Sequence, residues 1–156
     1  MTLQEWVNLI LQSNVVAAII VGLFGLLTLK LGIAKFASER WWERKASSYV
    51  TVIDGLHGMY NASRAFQDAF ETRQDLDEDY SEELSKANVT GYAEMQRGEN
   101  IGAFLMTKRA ASILRQLRLD MESGSMAFGD EHKRRANLIH DAIIQMTAEA
   151  KRDLKT

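Results

Sequence analysis

Residues 15–29 read VVAAIIVGLFGLLTL, and they lie inside a longer run, Trp6 to Leu29, of 24 residues without a charged side chain. At about 1.5 Å per residue such a run is long enough to cross a hydrocarbon core of about 30 Å. A soluble helix this apolar on every side would need a larger protein around it. A cleaved leader would need a basic start and a small-x-small cleavage site, whereas Glu5 is the only charge before the run. The stretch therefore predicts one membrane span within residues 12–35.

The flanks orient it. Lys30, Lys35, Arg40, Arg44 and Lys45 follow the run, against Glu39 and Glu43. The excess of cations places the C-terminal side in the cytoplasm. Trp6 suits an interfacial anchor. Gln12, Ser13 and Asn14 either end a short amphipathic helix on the membrane surface, through Leu3, Trp6, Val7 and Ile10, or form the outer turn of one longer helix. The expected division is a membrane segment, residues 1–35, and a helical cytosolic domain, residues 36–156.

Composition supports an all-α chain. The 156 residues contain no Pro and no Cys, are 46% hydrophobic and 26% charged, and carry a net charge of -2. Without Cys there is no disulfide framework, thiolate metal site or cysteine nucleophile. The mean hydropathy of -0.21 averages two unlike regions. The net charge does the same: residues 72–106 hold eight acidic and three basic groups, residues 107–156 seven acidic and ten basic. Thr72 to Asp79, TRQDLDED, reads as a charged turn.

A stripe of four- and three-residue steps follows the apolar run: Trp42, Ala46, Tyr49, Ile53, Leu56, Tyr60, Ser63, Gln67 and Phe70. Backward it continues through Gly32, Gly25 and Ala18, and is mostly small within the span. Small residues let membrane helices approach closely, and Ala18-x-x-x-Gly22 lies beside the stripe. One helix from about Asn14 to Phe70 is the economical reading. Its seam of Ala18, Gly25, Gly32, Trp42, Tyr49, Ile53 and Leu56 either joins copies of the chain, a tetramer being the expected assembly, or packs on the chain's own later helices. Gly55 and Gly58 mark close packing or a bend.

Downstream, Tyr80 to Arg97 reads as a weakly amphipathic helix interrupted at Gly91, with a turn framed by Gly98 and Gly102. Thr107 is the expected N-cap of a helix from Lys108 to Glu122, with Ala110, Ile113, Leu114, Leu117 and Met121 on its apolar face. Residues 123–130 form a loop plugged by Met126 and Phe128. Asp130 caps a last helix to Leu154, with Leu138, Ile139, Ala142, Ile143, Met146 and Ala150 inward.

No catalytic constellation is present, so no enzyme, cofactor or metal is expected. His57, His132 and His140 lack metal-ligand spacing and read as packing or surface residues. Asp75, Asp77 and Asp79 mimic a calcium loop, but Tyr80 stands where the loop needs Gly and Lys86 where it needs Glu. No nucleotide-loop motif occurs, and no DNA partner is expected. The basic end is more informative. Lys108 and Arg109 occupy the first turn of a helix, where they oppose the macrodipole. With Arg115, Arg118 and Arg134 they are the candidate ligand-binding set for an anion, with Tyr92, Phe104 and Phe128 as stacking partners for a base. Contact with anionic lipid, or plain solvation, is the alternative.

The juncture Glu39-Arg-Trp-Trp-Glu-Arg-Lys-Ala46 with Tyr49, the segment Ile101-Gly-Ala-Phe-Leu105 and Ala150-Lys-Arg-Asp-Leu154 resemble those of short bacterial membrane proteins with one N-terminal span and a helical cytosolic domain. The layout also resembles CRISPR-associated membrane effectors, whose cytosolic domains sense cyclic oligoadenylate and oligomerise. The resemblance implies a single-pass protein of the bacterial inner membrane, with membrane lipid and copies of itself as partners, a cyclic oligonucleotide as its signal and a role in antiviral defence. It carries over no ligand-contacting motif. The competing expectation is a membrane-anchored scaffold or accessory subunit that recruits a protein partner.

Overall fold

The structure is a computed structural model; it describes the backbone of residues 14–123 and 128–155, and the side chains of residues 38–100, 102, 104–123 and 129–155. Among the described residues there are four helices and no strand: α1 Asn14–Thr72, α2 Glu78–Leu105, α3 Lys108–Glu122 and α4 Phe128–Asp153. By contacts the chain divides into Met1–Trp41 and Trp42–Thr156. Among the described residues no helix is long and apolar enough to cross a membrane. The side chains of the predicted span, Ala18, Gly25 and Gly32 included, lie outside them, as do residues 3–12, Met126 and the side chain of Phe128.

In the second unit α1 runs antiparallel to both α2 and α4. Gly55 faces Gly91 and Gly58 faces Ala87 across α1 and α2. Along α1 and α4, Phe66 meets the ring of His132, Tyr60 that of His140, and Tyr49 meets Asp153. The core lies between the four helices and is built from Tyr49, Leu56, Met59, Met95, Leu114, Ile139 and Met146, each at most 1% exposed.

Over this unit the α1 stripe follows the second of the two readings the sequence leaves open, packing on the chain's own later helices. Tyr49 and Leu56 are 1% and 0% exposed within the single chain, and Ser63 and Gln67 are buried too. Ile53 packs on the same core. Trp42 is half exposed, and its indole N–H donates to the carbonyl of Leu154 at 3.3 Å. The stripe is regular because a bundle helix needs one continuous apolar face, and the chain's own α2, α3 and α4 supply what covers it.

A correction concerns α2, which neither breaks at Gly91 nor turns at Gly98 and Gly102 but runs through all three. A Cβ on Gly91 would overlap the Gly55 carbonyl oxygen, and one on Gly98 would come within 2.7 Å of Leu114 Cδ1 and 2.8 Å of Val52 Cγ2. Gly91 permits helix contact at backbone distance and Gly98 admits the side chains of Leu114 and Val52, and that packing offsets a helix-propensity cost of about 1 kcal/mol each.

The ends of the helices follow local chemistry. Asp77 caps α2 by accepting from the N–H of Tyr80 at 3.3 Å, which is the role its acidic turn performs. At the end of α1, Arg73 adopts φ 54, and the N–H groups of Gln74 and Arg73 return to the carbonyls of Ala69 and Phe70. This is a Schellman closure with Arg at the position usually held by Gly. Thr107 caps α3, which spans the predicted Lys108–Glu122.

Candidate functional site

One end of the bundle brings together Lys45 and Tyr49 of α1, the α2–α3 junction and the end of α4. Thr107 is at its centre. Its hydroxyl accepts from the N–H of Ala110 at 3.1 Å and donates to Glu149 Oε1 at 2.6 Å. Its own N–H donates to Tyr49 Oη at 3.3 Å, and that hydroxyl donates to Asp153 Oδ2 at 2.9 Å. Lys45 Nζ closes the chain of contacts on Asp153 Oδ1 at 2.6 Å. We call this set the latch, because it ties α1, α3 and α4 by side chains more than a hundred residues apart in sequence on the α1–α4 side.

Glu149 is 3% exposed. Besides Thr107 it pairs with Arg152, and Arg109 Nε lies 3.6 Å from its Oε2. The hydrogen bond from Arg152 above all, with that from Thr107 and the charges of Arg152 and Arg109, holds its carboxyl below the usual range against the opposing effect of burial. Burial pushes the Tyr49 hydroxyl up. The first turn of α3 contains no acid of its own. The anion that its cations and its macrodipole call for is Glu149, supplied by α4.

Beside the latch, a groove of about 320 Å³ opens between α1 and α2. Ser47, Ser48 and Thr51 line one side, Glu94, Arg97 and Gly98 the other. Ser48 Oγ donates to the carbonyl of Arg44 at 2.8 Å, and Arg97 Nη1 lies 3.9 Å from Glu94 Oε1. The groove thus offers hydroxyls, a carboxylate and a guanidinium that is 68% exposed.

The five cations singled out from the sequence do not converge. Arg118 holds Glu99 with two bonds, 2.8 and 3.1 Å, and Glu122 with its third nitrogen. The guanidinium is raised by those carboxylates, and Glu99 is correspondingly lowered. Arg134 donates to the carbonyls of Asp120 and Met121 at 2.7 and 3.4 Å and pairs with Glu131, so it closes the C-terminus of α3. Lys108, Arg109 and Arg115 are exposed. Of the aromatic candidates, Tyr92 donates to Glu122 at 3.3 Å and Phe104 is 78% exposed.

Sequence reading missed Tyr49, Glu149, Asp153 and Lys45 as one network, since their separation leaves no local signal; Thr107 as a cap was the one legible member. His132 and His140 stack on Phe66 and Tyr60 with ring centres 5.4 and 5.6 Å apart. Burial, with the charge of Arg135, lowers His132. Among the described residues no group of three His, Asp or Glu side chains is placed to hold a metal ion. Comparison with family models, curated proteins and solved structures finds no match to the chain.

Proposed function

We propose that the chain is a non-catalytic single-pass effector of the bacterial inner membrane. Residues 12–35 span the bilayer, copies assemble through Ala18, Gly25 and Gly32 as a tetramer, and the cytosolic bundle receives a small anionic signal of the cyclic-nucleotide class. Binding then perturbs the membrane in antiviral defence. The observation that supports sensing is the position of the groove. Ser48 on one wall adjoins Tyr49 of the latch, and Met106 at the groove's end adjoins Thr107. An occupant would contact the residues next in sequence to both partners of the Tyr49–Thr107 bond, with Arg97 as its anchoring cation.

The test is thermal unfolding of the full chain in detergent with a panel of cyclic and linear nucleotides. A ligand at 100 times its dissociation constant raises stability by about 2.7 kcal/mol. Arg97→Glu abolishes the shift. If Arg109→Glu abolishes it and Arg97→Glu does not, the site belongs to α3 instead. A panel without any shift ends the sensing reading.

The scaffold reading is favoured by a different observation: Val89 and Ile144 stand 68% and 55% exposed on α2 and α4. A protein partner that copurifies with the full chain and is lost on Val89→Glu or Ile144→Glu would support it.

A further inference from the structure

We infer that the latch end of the bundle docks on an anionic bilayer surface through Trp42, Phe104, Lys108, Arg109, Lys151 and Lys155. The inference rests on the membrane-anchored reading and adds to it the face of the bundle that meets lipid and the lipid charge that face requires. Its first support is topology. The bond from Trp42 to Leu154, the bond from Thr107 to Tyr49 and the shared surface of Leu105 with Arg44 and Ser48 bring four stretches of chain to one end. All six named side chains are exposed there, Phe104 by 78% and Trp42 by 52%.

Charge supplies the second support. From 148 to 155 the acids are Glu149 and Asp153, both committed inside the latch, while Lys151 and Lys155 point to solvent. The opposite end, residues 71–83, carries seven acidic groups and one basic. The 28 residues of α2 separate the two ends by about 42 Å. That is several times the screening length of about 10 Å at 0.1 M salt, so each end meets its surroundings separately. A bundle with a cationic end and an acidic far end is attracted to an anionic surface in one orientation only. Exposed aromatic rings occur at both ends, Phe70 and Tyr80 at the acidic one, but only at the latch end do they lie among Lys and Arg, the combination the headgroup layer accommodates.

The chain has no Cys, so single probes report cleanly. The full chain is labelled with a fluorophore at Asn100→Cys or Gln74→Cys and placed in nanodiscs of phosphatidylcholine, alone or equimolar with phosphatidylglycerol, containing a headgroup-linked quencher. The expected result is quenching at position 100 that is several-fold stronger with phosphatidylglycerol, reversed by salt, and absent at position 74. Lys151→Glu with Lys155→Glu, and separately Phe104→Ser, return position 100 to the neutral-lipid level. Quenching that ignores lipid charge, or is equal at the two positions, overturns docking. Incorporation of the chain, read by resistance to carbonate extraction, separates the two ideas: a chain that incorporates without lipid-dependent quenching sinks docking alone, and one that does not incorporate sinks the anchor and docking together.

Discussion

α1 is joined to its neighbours in two ways that differ in kind. At the Gly55–Gly91 crossing the α1 and α2 backbones touch and no side chain intervenes. At the latch, α1 meets α3 and α4 through Lys45, Tyr49, Thr107, Glu149 and Asp153, each a polar group with more than one way to be satisfied. The crossing is a steric constraint and cannot relax without moving a helix. The latch is electrostatic, so loss of one member is met in part by the polar neighbours that remain.

The largest effect is therefore expected at the crossing. Gly91→Val forces a branched side chain against the Gly55 carbonyl and Met59 Cγ and costs about 3 kcal/mol, at the upper end of what overpacking usually costs. Urea unfolding of the full chain in detergent reads it. A midpoint equal to wild type would mean that the helices do not meet there.

At the latch, Glu149→Gln keeps the shape and removes the charge beside Arg152 and Arg109, for an expected loss of about 2 kcal/mol, typical of a charged hydrogen bond. Asp153→Asn should cost a similar amount. Because Thr107 and Tyr49 connect the two carboxylates, the double variant should depart from additivity by more than about 0.5 kcal/mol. Strict additivity would break the latch into two independent pairs.

Acid sharpens the comparison. Glu149 and Glu99 titrate below the usual 4.5 in the folded chain. The stability they contribute is complete above 4.5 and is lost as pH falls through their folded-state values. His132 is also lowered, so its contribution, present above 6.5, declines as pH falls below that value. Unfolding midpoints across pH 7 to 3.5 should show both declines, with the lower one diminished in Glu149→Gln.

Two smaller effects mark the limits. Gly98→Ala meets Leu114 Cδ1, Val52 Cγ2 and Met106 Cε at 2.7, 2.8 and 3.4 Å, and a helix-propensity gain of about 1 kcal/mol offsets part of that crowding, so it should destabilise by about 1 kcal/mol. Arg115→Ala, on the exposed face of α3, should change the midpoint by no more than about 0.5 kcal/mol. A larger loss would show that Arg115 has a partner in the fold.

What the sequence determined by itself is local. The spacing of Ala110, Leu114, Leu117 and Met121 names the buried face of α3, and that of Ile139, Ala142, Ile143, Met146 and Ala150 the inward face of α4. Thr107 announces the cap because capping involves neighbours within one turn. Tertiary structure alone decided three other matters. It carried α2 through Gly91, Gly98 and Gly102, since close contact with α1 at Gly91 and with α1 and α3 at Gly98 outweighs local propensity. It covered Tyr49 and Leu56 within the chain, because periodicity names an apolar face but not what lies against it. It also committed Arg118 and Arg134 to partners inside the fold and gave Arg109 the carboxylate of Glu149. The worth of a charge depends on what lies within a few ångströms, and for α3 that carboxylate arrives from a helix forty residues further along the chain.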